Sequence, residues 1–525
     1  MKLATRSSSV KAFSPHFSAL LRNRIHLAFA LPISLLLALT GSVLAQTGTT
    51  SIRGVVTDPG TRVIVGAKVT LKSAAQEFER VIETSSDGGY QFLQLAPGEY
   101  SMLVESAGFK SLQKTNIVLI VNFPSTINVA MEVGAVSEIV RISAREALLN
   151  TRDASLGIGF DETRVKQLPL DGRNVPDLLS LQAGVTYTGN RSDVDDLRTG
   201  SVNGARNDQS NVTVDGIPVN DEGGHPFTSV LPVTLDSVQE FRVTTSNYNS
   251  DEGTSSGAQV QLITKSGTDK FHGSVYEYHR NTATSANDYF IKQAQLSSGE
   301  PNSPPKLIRN VFGASVGGHL RRKGLYFFLN YEGARRAEEQ AAVALVPTAS
   351  FRDGVIQYLC TTNADGTLDT ASCPGGSVTG LSGQTYSVAP GYAPASPGAL
   401  ASMDPLQSGA SQGVLDYLNN FPLPNSLTAG GGDGVNTAGL NWRAPFSDSK
   451  NSYIGRLDFI TKDDKHRVSI SAALANESSP GVPFYPGQEP STTFVNHSKG
   501  IIVQYSSTLR PSLLNSFRYG FIRES

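Results

Sequence analysis

Residues 253–257 read Gly-Thr-Ser-Ser-Gly, the G-x-S-x-G spacing that holds a nucleophilic serine on a sharp turn. That chemistry needs a strand-to-helix elbow, an oxyanion loop and a histidine nearby in space, yet the residues after Gly257 alternate as a strand. The eight histidines are scattered, with no HExxH pair and no Cys/His spacing suited to zinc. His279 and His319 fall in or beside strand-like runs, and His16 and His26 belong to the basic leader. Asn363 to Asp369 is rich in oxygen ligands like a calcium loop, but lacks the closing Glu and reads as a polar turn. Gly430-Gly431-Gly432 lacks the lysine of a phosphate loop. These patterns argue against an enzyme and imply no cofactor. Cys360 and Cys373 sit in a polar stretch; in an oxidising compartment they pair, which pins their loop by about 3 kcal/mol, and two free thiols are the alternative.

Composition says what kind of chain carries these residues. With 50 Gly, 27 Pro and only 17% charged residues, it leans toward many short strands and turns. Its 525 residues suffice for roughly three or four domains. A net charge of −2 gives no support for nucleic-acid binding. The basic residues Lys2, Arg6, Lys11, Arg22 and Arg24 lie in the first 45 positions without an acid, so the rest of the chain is mildly acidic. Arg22 and Arg24 precede the apolar run Leu27 to Leu39 and the small-residue site Val43-Leu44-Ala45. This is the pattern of a secretory signal peptide over 1–45, cleaved between Ala45 and Gln46. The run contains Pro32 and falls short of the roughly 20 residues a membrane-spanning helix needs. No later run approaches that length, which leaves either a soluble exported body or one that crosses a membrane as tilted strands.

Residues 50–133 are short alternating strands broken by turns such as Asp58-Pro59-Gly60 and Ser86-Asp87-Gly88-Gly89, the pattern of a small immunoglobulin-like β-sandwich. Residues 134–266 mix short strands with helical pieces at Val165 to Leu168 and Val175 to Leu181, indicating a small α+β domain. From 267 to 525 the alternation lengthens. Tyr276 and Tyr278 oppose Glu277 and His279; Leu325, Phe327, Leu329 and Tyr331 oppose Asn330 and Glu332; Tyr453, Leu457 and Phe459 oppose Arg456 and Asp458. An aromatic-rich face against a charged face, with tight turns alternating with long loops, predicts antiparallel transmembrane β-barrel strands rather than a soluble sandwich, the lipid contacting the aromatic face. The connection from about 337 to 450 reads as one long extracellular loop carrying the cysteines.

Several blocks carry a family resemblance. Gly54 to Asp58, Gly66 to Leu71, Ser86 to Phe92, Leu95 to Tyr100 and Ala107 to Phe109 resemble a carboxypeptidase regulatory-like domain, which is not the catalytic part of a peptidase. The ordered blocks around Asp171-Gly172-Arg173, Asn203-Gly204 with Arg206, and Asp215-Gly216 resemble the plug domain of Oar-like TonB-dependent outer-membrane receptors. Arg309 to Gly318 and Leu325 to Arg335 resemble their barrel, whereas His319-Leu320-Arg321-Arg322 departs from it. The resemblance implies a receptor in the cell outer membrane that admits an extracellular ligand, such as an oligosaccharide, peptide or metal chelate, through a plugged barrel. It also implies a TonB-type energy-transducing partner in the periplasm that pulls on a short strand-like box. Glu138, Ile139, Val140, Arg141, Ile142 and Ser143 are the candidate box, since a strand there is open to pairing; a simple domain linker reads the same. A surface adhesion protein of the same architecture and an exported carbohydrate-binding protein are the alternatives. About seven candidate strands follow Lys270, against about 22 in plugged transporter barrels, so the expectation is an incomplete barrel and a longer parent protein.

Overall fold

The computed structural model describes residues 49–525 apart from 77, 137–138, 144–153, 169, 171–172, 174, 188–199, 206–208, 221–228, 249–254, 298, 300, 321–323, 368, 370–372, 374, 462–464 and 511–512. The leader and its cleavage site at Ala45 and Gln46 therefore lie outside the described residues. The fold is mainly β.

The N-terminal domain packs two sheets face to face. One holds Thr50–Thr57, Gly89–Leu95, Ser125–Thr126 and Val129–Ala130; the other runs in the order Glu79–Glu83, Lys68–Ser73, Gly98–Glu105, Ser111–Leu119, Ile139–Ser143. Alternation decides which side chains go inside: along Thr50–Thr57 every second residue is buried. Ile52, Val69, Leu71, Phe92, Met102 and Ile117 meet in the core between the sheets.

The middle region is a mixed sheet in the order Leu156–Asp161, Val238–Ser246, Gln259–Thr264, Asn211–Val214, Ile217–Pro218. All six residues of Gln259–Thr264 are buried, as expected for a strand covered on both faces. Asp161 ends the first strand and caps the helix Glu162–Gln167, its carboxylate accepting from Arg164 N at 2.9 Å. Val175–Leu181 is a 3₁₀ turn. The hairpin from Asn211–Val214 to Ile217–Pro218 turns on Asp215 and Gly216 with φ of 48° and 79°. Both turn residues have positive φ, as a type I′ turn requires, and this explains an Asp-Gly pair here.

Residues 272–523 form one large antiparallel sheet. Its main order is His272–Asn281, Leu307–His319, Leu325–Pro347, Thr437–Ile460, His466–Pro480, Lys499–Arg510, Leu513–Arg523, with Thr493–Asn496 added beside His466–Pro480. Long connections (282–306, 348–436 and 481–498) lie at one end and short turns at the other, and the sheet does not close. The large loop is shorter than the alternation suggested: the two central strands stay paired as far as Pro347 opposite Thr437. Ala344, Val346 and Leu440 form a small core there with Phe421 and Trp442 against it; the small, weakly patterned residues 341–347 hide a strand from a reading based on aromatic alternation. Cys360 and Cys373 are disulfide-bonded within this loop, with Cα atoms 5.5 Å apart.

The outward face carries Val275, Leu329, Tyr453, Leu457, Leu474, Phe517, Tyr519 and Phe521, all exposed, as a lipid-facing band requires. The inward face wraps the middle region: Ile454, Ala473 and Ile502 join the core of Phe160, Val212, Phe241, Val260 and Leu262. Two glycines let the backbones approach. A Cβ at Gly520 would lie 2.5 Å from Ile217, and one at Gly500 would lie 2.8 Å from Leu231. One strand turns its aromatics the other way. Tyr276 and Tyr278 point inward over Arg173, and Val275 and Glu277 take the outer face. The expected assignment of aromatics to lipid fails there because a buried cation recruits both rings.

Candidate functional site at the seams of the middle region

The first seam joins the middle sheet to the large sheet. Arg456 and Asp458 project inward from Thr437–Ile460, two residues apart and so on one face. The Arg456 guanidinium donates to Asp458 through Nε (2.9 Å) and Nη2 (3.0 Å), and through Nη1 to Asp215 (3.3 Å) and the Thr264 carbonyl (2.9 Å). Asp215 accepts from Thr264 N at 2.9 Å and Ser471 Oγ at 2.7 Å. Asp458 accepts from Ser266 Oγ at 2.6 Å and also from Ser469 Oγ. Asp458 is fully buried and Asp215 nearly so. One cation thus lies between two carboxylates whose remaining oxygen capacity is filled by hydroxyls and backbone amides, the condition for tolerating buried charge. The I′ turn brings Asp215 to the wall.

A second cluster lies on the same seam. Arg173 pairs with Asp236 (2.8 Å) and Glu332 (3.6 Å), and its guanidinium carbon sits 4.0 Å from the Tyr278 ring centroid and 5.1 Å from that of Tyr276. Tyr276 donates to Glu332 at 2.8 Å. Beside it, Glu162 bridges Lys166 and Lys265, each at 3.0 Å. Burial alone would push the Glu162 carboxyl up, but the two ammonium groups more than offset it and hold it below its ordinary range.

A third set of contacts joins the N-terminal domain to the middle sheet. Both Glu240 oxygens accept from Val121 N, at 2.8 and 3.0 Å, while Arg242 donates to the Val121 carbonyl and packs over the Phe123 ring at 5.6 Å. Burial pushes the Glu240 carboxyl up to about 8, against the pull of these amide contacts and Arg242. Gln76 reaches further, donating to Ser266 Oγ (2.8 Å) and the Gly267 carbonyl (3.0 Å) and accepting from Arg467 of the large sheet (3.0 Å). A polar cavity of about 260 Å³ opens where the three units meet, lined by Gln76, Gln239, Lys265, His272, Arg456 and Arg467 among others.

Of the residues singled out from sequence, Arg173 and Asp215 fall in these clusters, with Gly216 completing the turn under Asp215. Asn203 and Gly204 form a separate turn with φ of 50° and 81°, the Asn203 amide donating to the Thr245 carbonyl and Ser246 Oγ. Ile139–Ser143 is a strand of the N-terminal domain. Glu138, Asp171, Gly172 and Arg206 lie outside the described residues. Ser255 leads into the strand Gln259–Thr264, and its hydroxyl bonds the Ala258 carbonyl and the Gln259 amide, so the G-x-S-x-G run has no elbow. Sequence reasoning missed Asp236, Glu240, Arg242 and Gln76. Glu240 and Arg242 did leave a signal, two charges inside the otherwise apolar strand Val238–Ser246.

An inward polar face, an outward apolar band and a buried domain against the wall define a membrane β-barrel protein. Residues 263–525 match the family described as an outer membrane beta barrel domain, and the chain belongs to it. Residues 51–132 match the carboxypeptidase regulatory-like domain. The chain is 25% identical over 274 residues to the TonB-dependent transporter Oar of Myxococcus xanthus, a match covering 50% of this chain and 24% of that protein. Among solved structures, the outer membrane transporter YddB from Escherichia coli aligns with a TM-score of 0.39 at 11% identity, over 70% of this chain and 39% of that one. The siderophore receptor PirA from Acinetobacter baumannii aligns at 0.31 and 13%, over 69% and 47%.

Proposed function

We propose that the chain is part of a TonB-dependent receptor, in which residues 134–266 are the plug and residues 267–525 the first part of a barrel. The receptor binds an extracellular ligand and passes it to the periplasm when a TonB-type partner pulls on Glu138–Ser143. The observation that carries this reading is the seam at Asp215, Arg456 and Asp458. A plug that must move needs an interface whose groups can be rehydrated, and ions and hydroxyls exchange into water far more readily than an apolar core does. The long connections at 282–306, 348–436 and 481–498 then face the exterior, and the N-terminal domain sits in the periplasm beside the short turns.

Deleting residues 138–143 in the intact receptor tests it. Ligand uptake should be lost while surface binding persists; unchanged uptake removes the segment from energy coupling and favours an adhesion role. Recovery of the protein from a soluble fraction would sink both barrel readings.

A further inference from the structure

The segment Ile139–Ser143 does not hang free between domains. It runs parallel to Ser111–Thr115 and pairs with it residue for residue, from Ser111 opposite Ile139 to Thr115 opposite Ser143. It is the last strand of the five-stranded sheet, and among the described residues no strand covers its other side. Sheet edges in natural proteins are commonly guarded by proline, lysine, a bulge or a covering loop. This edge has neither proline nor lysine, its register with Ser111–Thr115 is unbroken, and Arg141 is its one charged residue. Ile139 and Ile142 are 52% and 42% exposed along it. An extended, unguarded edge with exposed branched side chains is a template for one more strand: backbone groups supply the hydrogen bonds and alternate side chains the selectivity.

We propose that the carboxypeptidase regulatory-like domain presents Ile139–Ser143 as a ready-made edge, and that a β-strand of the periplasmic partner adds to its open side. A single composite sheet then runs from Glu79–Glu83 through Ile139–Ser143 into the partner. The proposal rests on the reading of this segment as the energy-coupling box. It adds that the N-terminal domain is part of the docking site, holding the segment extended before the partner arrives, so that the partner orders only its own strand. The contrary arrangement is storage, in which the partner must first strip the segment from Ser111–Thr115.

The two arrangements separate in a binding experiment on the full chain in detergent, with the purified periplasmic C-terminal domain of a TonB-type protein from the same cell as the probe. Gln113 and Arg141 are opposed in the ladder, and opposed positions in neighbouring strands, about 5 Å apart, are within disulfide reach. The double variant Gln113→Cys with Arg141→Cys, once oxidised, therefore staples the segment to the domain, and its reduced form is the folding control. Oxidised and reduced forms should bind the probe within about twofold of each other, whereas deletion of residues 139–143 should weaken binding about tenfold or more. Amide exchange should show Ser111–Thr115 keeping its protection in the complex while residues 139–143 gain it. Loss of binding on oxidation, restored by reduction, overturns the proposal in favour of storage, as does loss of protection at Ser111–Thr115. Unchanged binding after the deletion defeats the box assignment itself.

Discussion

The two seams of the middle region handle buried charge in opposite ways. Against the wall, Arg456 is shared by Asp215 and Asp458, so every ion has a counter-ion. Against the N-terminal domain, Glu240 is lodged on a backbone amide, with Arg242 directed to the neighbouring carbonyl rather than to the carboxylate. The first arrangement is insensitive to pH across the physiological range, because an arginine between carboxylates has no reason to lose its proton. The second can be discharged by a single proton. The difference teaches that the wall seam is built to hold until something pulls on it, and the N-terminal seam to respond to its surroundings.

The largest test of that contrast is Arg456→Ala, which strands two buried carboxylates and should cost about 3–5 kcal/mol. Thermal unfolding in detergent would read it. Arg456→Lys should recover less than half, since an ammonium cannot reproduce the two-pronged contact with Asp458. Full rescue by lysine would mean that charge alone matters there.

Arg173→Ala removes a cation from between two tyrosines and two carboxylates and should cost about 2 kcal/mol. Combining it with Tyr278→Leu should be less than additive, because both changes remove the same stack. Strict additivity would separate the ring from the cation.

Gly520→Ala tests whether the wall seam depends on close backbone approach as well as charge. The new methyl meets Ile217 at 2.5 Å and should destabilise by about 1–2 kcal/mol. Shortening Ile217 to Val alongside it should return part of that loss.

The smallest effect belongs to Glu240. Its carboxyl is raised in the docked state, so the docked state favours the proton: its contribution is fully present below the ordinary carboxylate range and lost as pH rises toward and through about 8. Proteolytic cleavage between the N-terminal domain and the middle region should therefore speed up from pH 5.5 to pH 8.5. Glu240→Gln should flatten the profile; a profile unchanged by the substitution would mean that another group titrates.

Much of the architecture was legible in the chain because it rests on local rules. Period-two alternation marked Thr50–Thr57 and Tyr453 to Phe459, and the Asp215-Gly216 pair marked an I′ hairpin, since backbone sterics allow few other residues there. The face chosen by Tyr276 and Tyr278 was not legible: it depends on Arg173, roughly a hundred positions earlier.

By itself, then, the sequence determined the mainly β character of the chain, the inward placement of Arg456 and Asp458, and the disulfide-capable pair Cys360 and Cys373. Alternation, turn chemistry and cysteine spacing act over a few residues and can be read there. Only the tertiary structure decided that Asp215 joins Arg456, that Glu240 meets Val121, and that Ile139–Ser143 is paired with Ser111–Thr115. Each of those contacts joins residues from separate elements, and long-range pairing follows from how whole faces pack rather than from any local pattern.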